Sequence, residues 1–142
     1  LFDLPAVAKI ARDRLADEGL SERVRIASGD FYRDALPAGA DIISLIRVLH
    51  DHDDDKALAI LKAVYAALPK SGTLLIAEPM AGASGAKAMG DAYFGLYLLA
   101  MGAGRPRTGK ELASLAKAAG FRTAQIKRTR RPLLVSVLVA HP

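Results

Sequence analysis

Ile42-Ile43-Ser44-Leu45-Ile46 is an almost continuous apolar run, and Thr73-Leu74-Leu75-Ile76-Ala77 repeats the pattern downstream. Both runs are too short for a buried helix and rich in branched side chains, which suits strands buried on both faces of a parallel sheet. Between them, Asp53, Asp54 and Asp55 stand where a helix N-terminus welcomes negative charge. Leu58, Leu61, Val64, Tyr65 and Leu68 then line one helical face, and Pro69 with Gly72 stops it. The unit reads strand–helix–strand, which argues for two parallel strands joined by a helical crossover.

Working outward, Leu1-Phe2 reads as a strand stump, and Pro5 opens a helix carrying Val7, Ile10, Ala11 and Leu15 that closes at Gly19. Val24-Arg25-Ile26-Ala27 is a short strand, followed by the turn pair Gly29-Asp30. On the other side, residues 80–90 are rich in Gly, Ala and Ser and read as a mobile loop. Tyr93, Phe94, Tyr97, Leu98 and Met101 recur at helical spacing over 92–101, and a further helix spans 110–119. Strands at 123–127 and 133–140, joined by the Arg130-Arg131-Pro132 turn, pair as an antiparallel hairpin that adds an antiparallel edge. The expectation is an α/β fold with a doubly wound parallel sheet, one domain over 1–142, without internal repeat or linker.

Composition narrows the classes. The chain has 142 residues, 51% hydrophobic and 25% charged, which excludes a disordered or fibrous protein. With no cysteine, disulfides, thiolate catalysis, iron–sulfur clusters and zinc ribbons are excluded. No apolar stretch approaches the ~20 residues of a membrane span, and no export signal opens the chain, so a cytoplasmic protein is expected. The net charge of +5 gathers near the C-terminus in Arg122, Lys127, Arg128, Arg130 and Arg131. No aromatic platforms interleave that run and there is no Trp, so it reads as a solvated face rather than a nucleic-acid surface. The start at Leu1-Phe2-Asp3-Leu4-Pro5, without Met, reads as a cut inside a strand, and the chain as a fragment.

In doubly wound sheets ligands bind at the carboxyl ends of the strands. Four successive strands here end in polar residues: Asp3, then Gly29-Asp30, then Arg47 and His50, then Glu78. Asp3 suits a ribose diol, and Asp30 could accept from an adenine amino group with Phe31 packing on the base. His50 has the only unperturbed pKa here that makes a base near neutrality, and Glu78 could orient its imidazole and stabilise the imidazolium. Each has a plainer alternative: a helix cap or solvated group for Asp3, an Asx turn for Asp30, a hydrogen-bonded core histidine for His50, a surface carboxylate for Glu78. The string His50-Asp51-His52-Asp53-Asp54-Asp55 partly matches a His-x-His-x-Asp-His metal motif, but Asp55 replaces the last His. The only other histidine is His141, so no metal site is expected.

Taken in order, Phe2-Asp3-Leu4-Pro5, Gly29-Asp30-Phe31, Arg47-Val48-Leu49-His50-Asp51, Leu75-Ile76-Ala77-Glu78-Pro79, and Arg107-Thr108 with Ala119-Gly120-Phe121 resemble the S-adenosylmethionine-dependent O-methyltransferases of the caffeate and acetylserotonin type. Met89-Gly90-Asp91-Ala92-Tyr93-Phe94 and Gly104-Arg105-Pro106-Arg107 look most like the bacterial carotenoid branch, which acts on hydroxyneurosporene or demethylspheroidene. The resemblance implies a Rossmann-like class I methyltransferase sheet with S-adenosylmethionine as cofactor. Asp3 would hold the ribose, Gly29, Asp30 and Phe31 would line the adenine, and Arg47 would be a further cofactor contact. His50 would be the base that deprotonates the acceptor hydroxyl, and Glu78 its acidic partner. Tyr93, Phe94, Tyr97, Leu98 and Met101 would wall an apolar acceptor pocket, with plain helix packing as the alternative. Plant members carry a second glutamate where Pro106 stands and a lysine where Ile46 stands.

The resemblance also implies features this chain lacks: the family's first strand with its Gly-rich loop, and a helical domain for homodimerisation. These residues alone are therefore expected to bind S-adenosylmethionine poorly. The remaining alternatives are a truncated, non-catalytic methyltransferase-like module acting in association, and a nicotinamide-binding Rossmann protein.

Overall fold

A computed structural model describes residues 1–82, 92–127, 129–132 and 134–142. The chain divides into two compact units, Leu1–Ala38 and Gly39–Pro142. In the first, β1 (Phe2–Asp3) runs parallel to β2 (Ala27–Ser28), with Phe2 opposite Ala27 and Asp3 opposite Ser28. Between them, helix α1 (Pro5–Asp17) begins at its proline, whose missing N–H is no loss in a first turn. The second strand lies later than the 24–27 expected from the sequence. Val24 instead caps a 3-10 turn over Ser21–Arg23.

The second unit is built on β3 (Ile42–Ile46) and β4 (Thr73–Glu78), parallel as expected from the strand–helix–strand pattern, with Ile46 opposite Ala77. Helix α2 (Asp54–Ala67) joins them, with Asp54 and Asp55 in its first turn and Ala57, Ile60, Leu61 and Val64 buried. That i, i+3, i+4, i+7 set is one helical face. The hairpin of β5 (Thr123–Lys127) and β6 (Ser136–His141) is antiparallel, as expected, and β6 also pairs antiparallel with β4. The sheet order is β3-β4-β6-β5, so β5 is the outer edge and β6 lies inside. Helix α4 (Gly109–Ala118) packs on α2, β5 and β6.

Central position buries β4: Leu74 and Ile76 are fully enclosed, each contributing roughly 1.5–3 kcal/mol. The expectation that β3 is buried on both faces is not met. Its residues alternate between exposed and half-buried, and Ile42 and Ile46 are 62% and 54% exposed. Its only strand neighbour among the described residues is β4, and a strand needs cover on both sides to be enclosed. Helix α3 (Phe94–Met101) buries Phe94 and Leu98 and leaves Tyr97 and Met101 exposed, with Tyr93 exposed just before it, so only Phe94 and Leu98 of the predicted apolar wall are enclosed. Most of the loop expected over 80–90, with Met89, Gly90 and Asp91, lies outside the described residues. Met80 at its start is buried, and Ala81 pairs with Thr108.

Candidate active site

The chain leaves β3 at Arg47, whose amide still donates to the Ala77 carbonyl at 2.9 Å, and then turns through a left-handed residue, Arg47 itself at φ 55°. A non-glycine residue in that region costs of order 1–3 kcal/mol and persists only where its surroundings enforce it. The 3-10 turn Leu49–Asp51 follows and buries both Leu49 and His50. Glu78 ends the neighbouring strand and is fully buried. Its Oε2 accepts from the His50 backbone amide at 3.3 Å. The two predicted catalytic residues are thus brought together by the parallel register of β3 and β4.

The carboxylate that faces the imidazole is a different one. Asp51 Oδ1 lies 3.2 Å from His50 Nε2. Among the described residues, the buried side-chain polar atoms without a partner are two, His50 Nδ1 and Glu78 Oε1. Unpaired buried polar atoms cost about 1–3 kcal/mol each, so native structures keep them mainly where function demands. The Phe94 ring stands 6.4 Å from the imidazole, and the Arg47 guanidinium lies over that ring at 5.5 Å.

Burial sets the protonation states. It pushes the Glu78 carboxyl up to about 7, against the pull of the His50 amide and the Arg107 charge. Burial also lowers His50 below the usual histidine range; Asp51 opposes this, while Arg47, Arg107 and His52 reinforce it. Near neutrality the imidazole is therefore uncharged, with one ring nitrogen open to a proton.

Arg107 stands out as the residue the sequence motifs left without a role. Its side chain is fully buried. Nε donates to Asp54 Oδ1 at 2.7 Å, Nη1 to the Leu49 carbonyl at 2.7 Å and Nη2 to the His52 carbonyl at 2.6 Å. The available signal was the pattern Thr108-x-x-Glu111, a capping box that forms in full at the start of α4 and fixes the residue before it. The acidic string after His50 is spent on such contacts. Asp53 accepts from the Gly104 amide, and Asp54 holds both Arg105 and Arg107. No group of three metal-ligating side chains is assembled among the described residues.

In the first unit, Asp3, Gly29 and Asp30 sit together at the carboxyl ends of β1 and β2, where the Gly29 amide donates to the Asp3 carbonyl at 2.9 Å. Asp3 Oδ1 accepts from the Leu4 amide, leaving Oδ2 as a further acceptor on a half-buried side chain. Asp30 forms the Asx turn weighed as its alternative: Oδ1 accepts from the Tyr32 amide at 2.9 Å, and Arg33 stands 3.7 Å from Oδ2. Phe31 is half-buried and packs edge-on against Tyr32. Gly29 is constrained by space, since a Cβ there would come within 2.7 Å of the Phe2 ring.

Comparison with known proteins places the chain. Demethylspheroidene O-methyltransferase of Rhodobacter capsulatus is 42% identical over 140 residues, covering 99% of this chain and 34% of that protein. Human N-acetylserotonin methyltransferase, solved in complex with SAM, superposes with a TM-score of 0.85 at 28% identity, over 99% of this chain and 39% of that one. An O-methyltransferase from neocarzinostatin biosynthesis, solved with S-adenosyl-L-homocysteine and 1,4-dihydroxy-2-naphthoic acid, gives 0.83 at 34% identity, over 99% and 40%. The α/β fold with its mixed sheet is thus that of the class I O-methyltransferases, and the chain spans roughly a third to two-fifths of these relatives' length. With residues 1–122 matching the O-methyltransferase domain, the chain belongs to the O-methyltransferase domain family.

Proposed function

We propose that the chain is a partial catalytic domain, 1–142, of an enzyme that transfers a methyl group from S-adenosylmethionine to a hydroxyl of a small apolar acceptor, with His50 as the general base. The observation that carries this reading is the pair of unpartnered buried atoms, His50 Nδ1 and Glu78 Oε1, beside a neutral imidazole at the strand ends. Polar atoms left open at such a place suit a polar group that arrives with a substrate. A hydroxylated carotenoid is the favoured acceptor, because demethylspheroidene O-methyltransferases are 42% and 41% identical to this chain. The family match favours this reading over a nicotinamide-binding protein.

The residues at the ends of β1 and β2 suit the cofactor. Asp3 Oδ2 would take a ribose hydroxyl, while Gly29, Asp30 and Phe31 would line the adenine, and Arg47 would be a further contact. When bound, S-adenosylmethionine supplies a methyl already activated by its sulfonium. The protein's own task is then to align the acceptor oxygen and remove its proton. Alignment contributes up to ~7–11 kcal/mol in favourable cases. The hydroxyl proton passes to His50, the Asp51 carboxylate beside Nε2 offsets the charge it gains, and Glu78 holds the backbone amide of that residue, adding its own negative charge only above about pH 7. We further propose that the full-length protein is a homodimer, as the family resemblance implies, and that it is cytoplasmic, as expected from the sequence reading.

The test is mass spectrometry of a methyl-transfer assay, with the full-length protein offered hydroxylated carotenoids and small phenols. A singly methylated carotenoid formed only when S-adenosylmethionine is present is the expected product. No methylated product from any hydroxylated acceptor would contradict the reading.

A further inference from the structure

We infer that Arg107 is the positioning residue for His50: its enclosed guanidinium clamps both ends of the turn that carries the imidazole and ties them to the first turn of α2. The proposal deepens the reading above and rests on it. Leu49 and His52, whose carbonyls receive Nη1 and Nη2, bracket His50 and Asp51 on either side. Asp54, which receives Nε, fixes the guanidinium in turn and is itself held by Arg105. The backbone of Arg107 adds a link to the other half of the site, since its carbonyl accepts from the Ala81 amide at 2.9 Å, just past Glu78. One residue therefore cross-links the His50 turn, the end of β4 and the start of α2.

Only arginine can do this. The fork places separate donors on three acceptors, and the guanidinium keeps its charge however deeply it is buried. A lysine would supply a single point charge. Such a clamp acts on the base in two ways. It fixes the ring's placement, where an error of about 1 Å can cost on the order of 10²-fold in rate. Its positive charge also faces His50 together with Arg47 and His52, opposed by Asp51, with Glu78 on the adjoining backbone.

The experiment uses the full-length protein with Arg107→Met, which removes fork and charge, and Arg107→Lys, which keeps the charge alone. Turnover per folded molecule should fall about 10–100-fold in both variants, with KM for the methyl donor unchanged. In Arg107→Met the midpoint of the rate–pH profile should also move to higher pH, because a neighbouring positive charge no longer disfavours the imidazolium. NMR titration of the imidazole, assigned by the signal lost in His50→Gln, should show the same upward move without relying on activity. A purely structural arginine would lower thermal stability in both variants while leaving turnover per folded molecule and the His50 titration as in the wild type, and that result overturns the proposal. Should Arg107→Met fail to fold, unchanged turnover in Arg107→Lys would overturn it equally. If instead His50→Gln retains full turnover, the base assignment fails, and the titration still decides whether Arg107 sets the imidazole.

Discussion

Glu78 holds its proton to about 7 because burial penalises the charged carboxylate more than the His50 amide and Arg107 relieve it. The unfolded chain releases that proton near the ordinary glutamate value, so between roughly 4.5 and 7 the folded state binds more protons than the unfolded one. Stability from this group is therefore full below that window and is lost as pH rises through it, by an amount on the order of 3 kcal/mol. His50, lowered by burial, works in the opposite sense: its contribution grows as pH rises toward the ordinary histidine value. Glu78→Gln removes the first effect alone. Urea midpoints measured from pH 5 to 8 should fall with pH in the wild type relative to the variant, and parallel curves would show that Glu78 ionises normally. The sequence made His50 and Glu78 legible as strand-end residues, because apolar runs locate the ends of strands. It did not show that Glu78 would meet the histidine's amide rather than its ring, or that Asp51 would face Nε2. Those depend on the left-handed turn at Arg47, for which the residue type gives no sign.

At the level of elements, the segment 104–108 fixes the site's back wall through two local devices. Gly104 lies at φ +81°, and a Cβ there would press on the His50 carbonyl and come within 2.6 Å of the Asp51 carbonyl carbon. Thr108 caps α4, its Oγ1 accepting from the Glu111 amide while Glu111 returns a bond to the Thr108 amide at 2.7 Å. Thr108→Ala should cost about 1 kcal/mol, the usual worth of such a cap. Gly104→Ala should cost clearly more, since the left-handed backbone alone accounts for about 1–2 kcal/mol before the clash is added. Chemical denaturation compares the two directly, and a smaller loss for Gly104→Ala would refute the close approach. Helices and strands of the second unit were readable from periodicity, and the Thr108-x-x-Glu111 spacing marks where α4 begins. Gly104's contact with the His50 turn was not readable, because it joins residues some fifty positions apart in sequence.

Across the whole molecule, what the sequence pattern anticipates depends on how many neighbours each element finds. Ile42-Ile43-Ser44-Leu45-Ile46 has the composition of a strand covered on both faces, yet among the described residues β3 pairs with β4 alone and shows Ile42 and Ile46 to solvent. Apolar content reports what a strand can bury, and the available neighbours decide what it does bury. The same holds for α3, where one side is enclosed and Leu96 and Leu99 are exposed. The site itself asks less of the surroundings, since β3, β4, α2 and the 104–108 segment all belong to one compact unit. In the proposed reaction His50 takes the acceptor's proton. The direct measurement is methyl transfer by full-length His50→Ala at saturating S-adenosylmethionine, alongside calorimetric titration of the cofactor. Turnover should fall about 10²–10⁴-fold with cofactor affinity intact. Weakened cofactor binding with normal turnover at saturation would contradict His50's role as base.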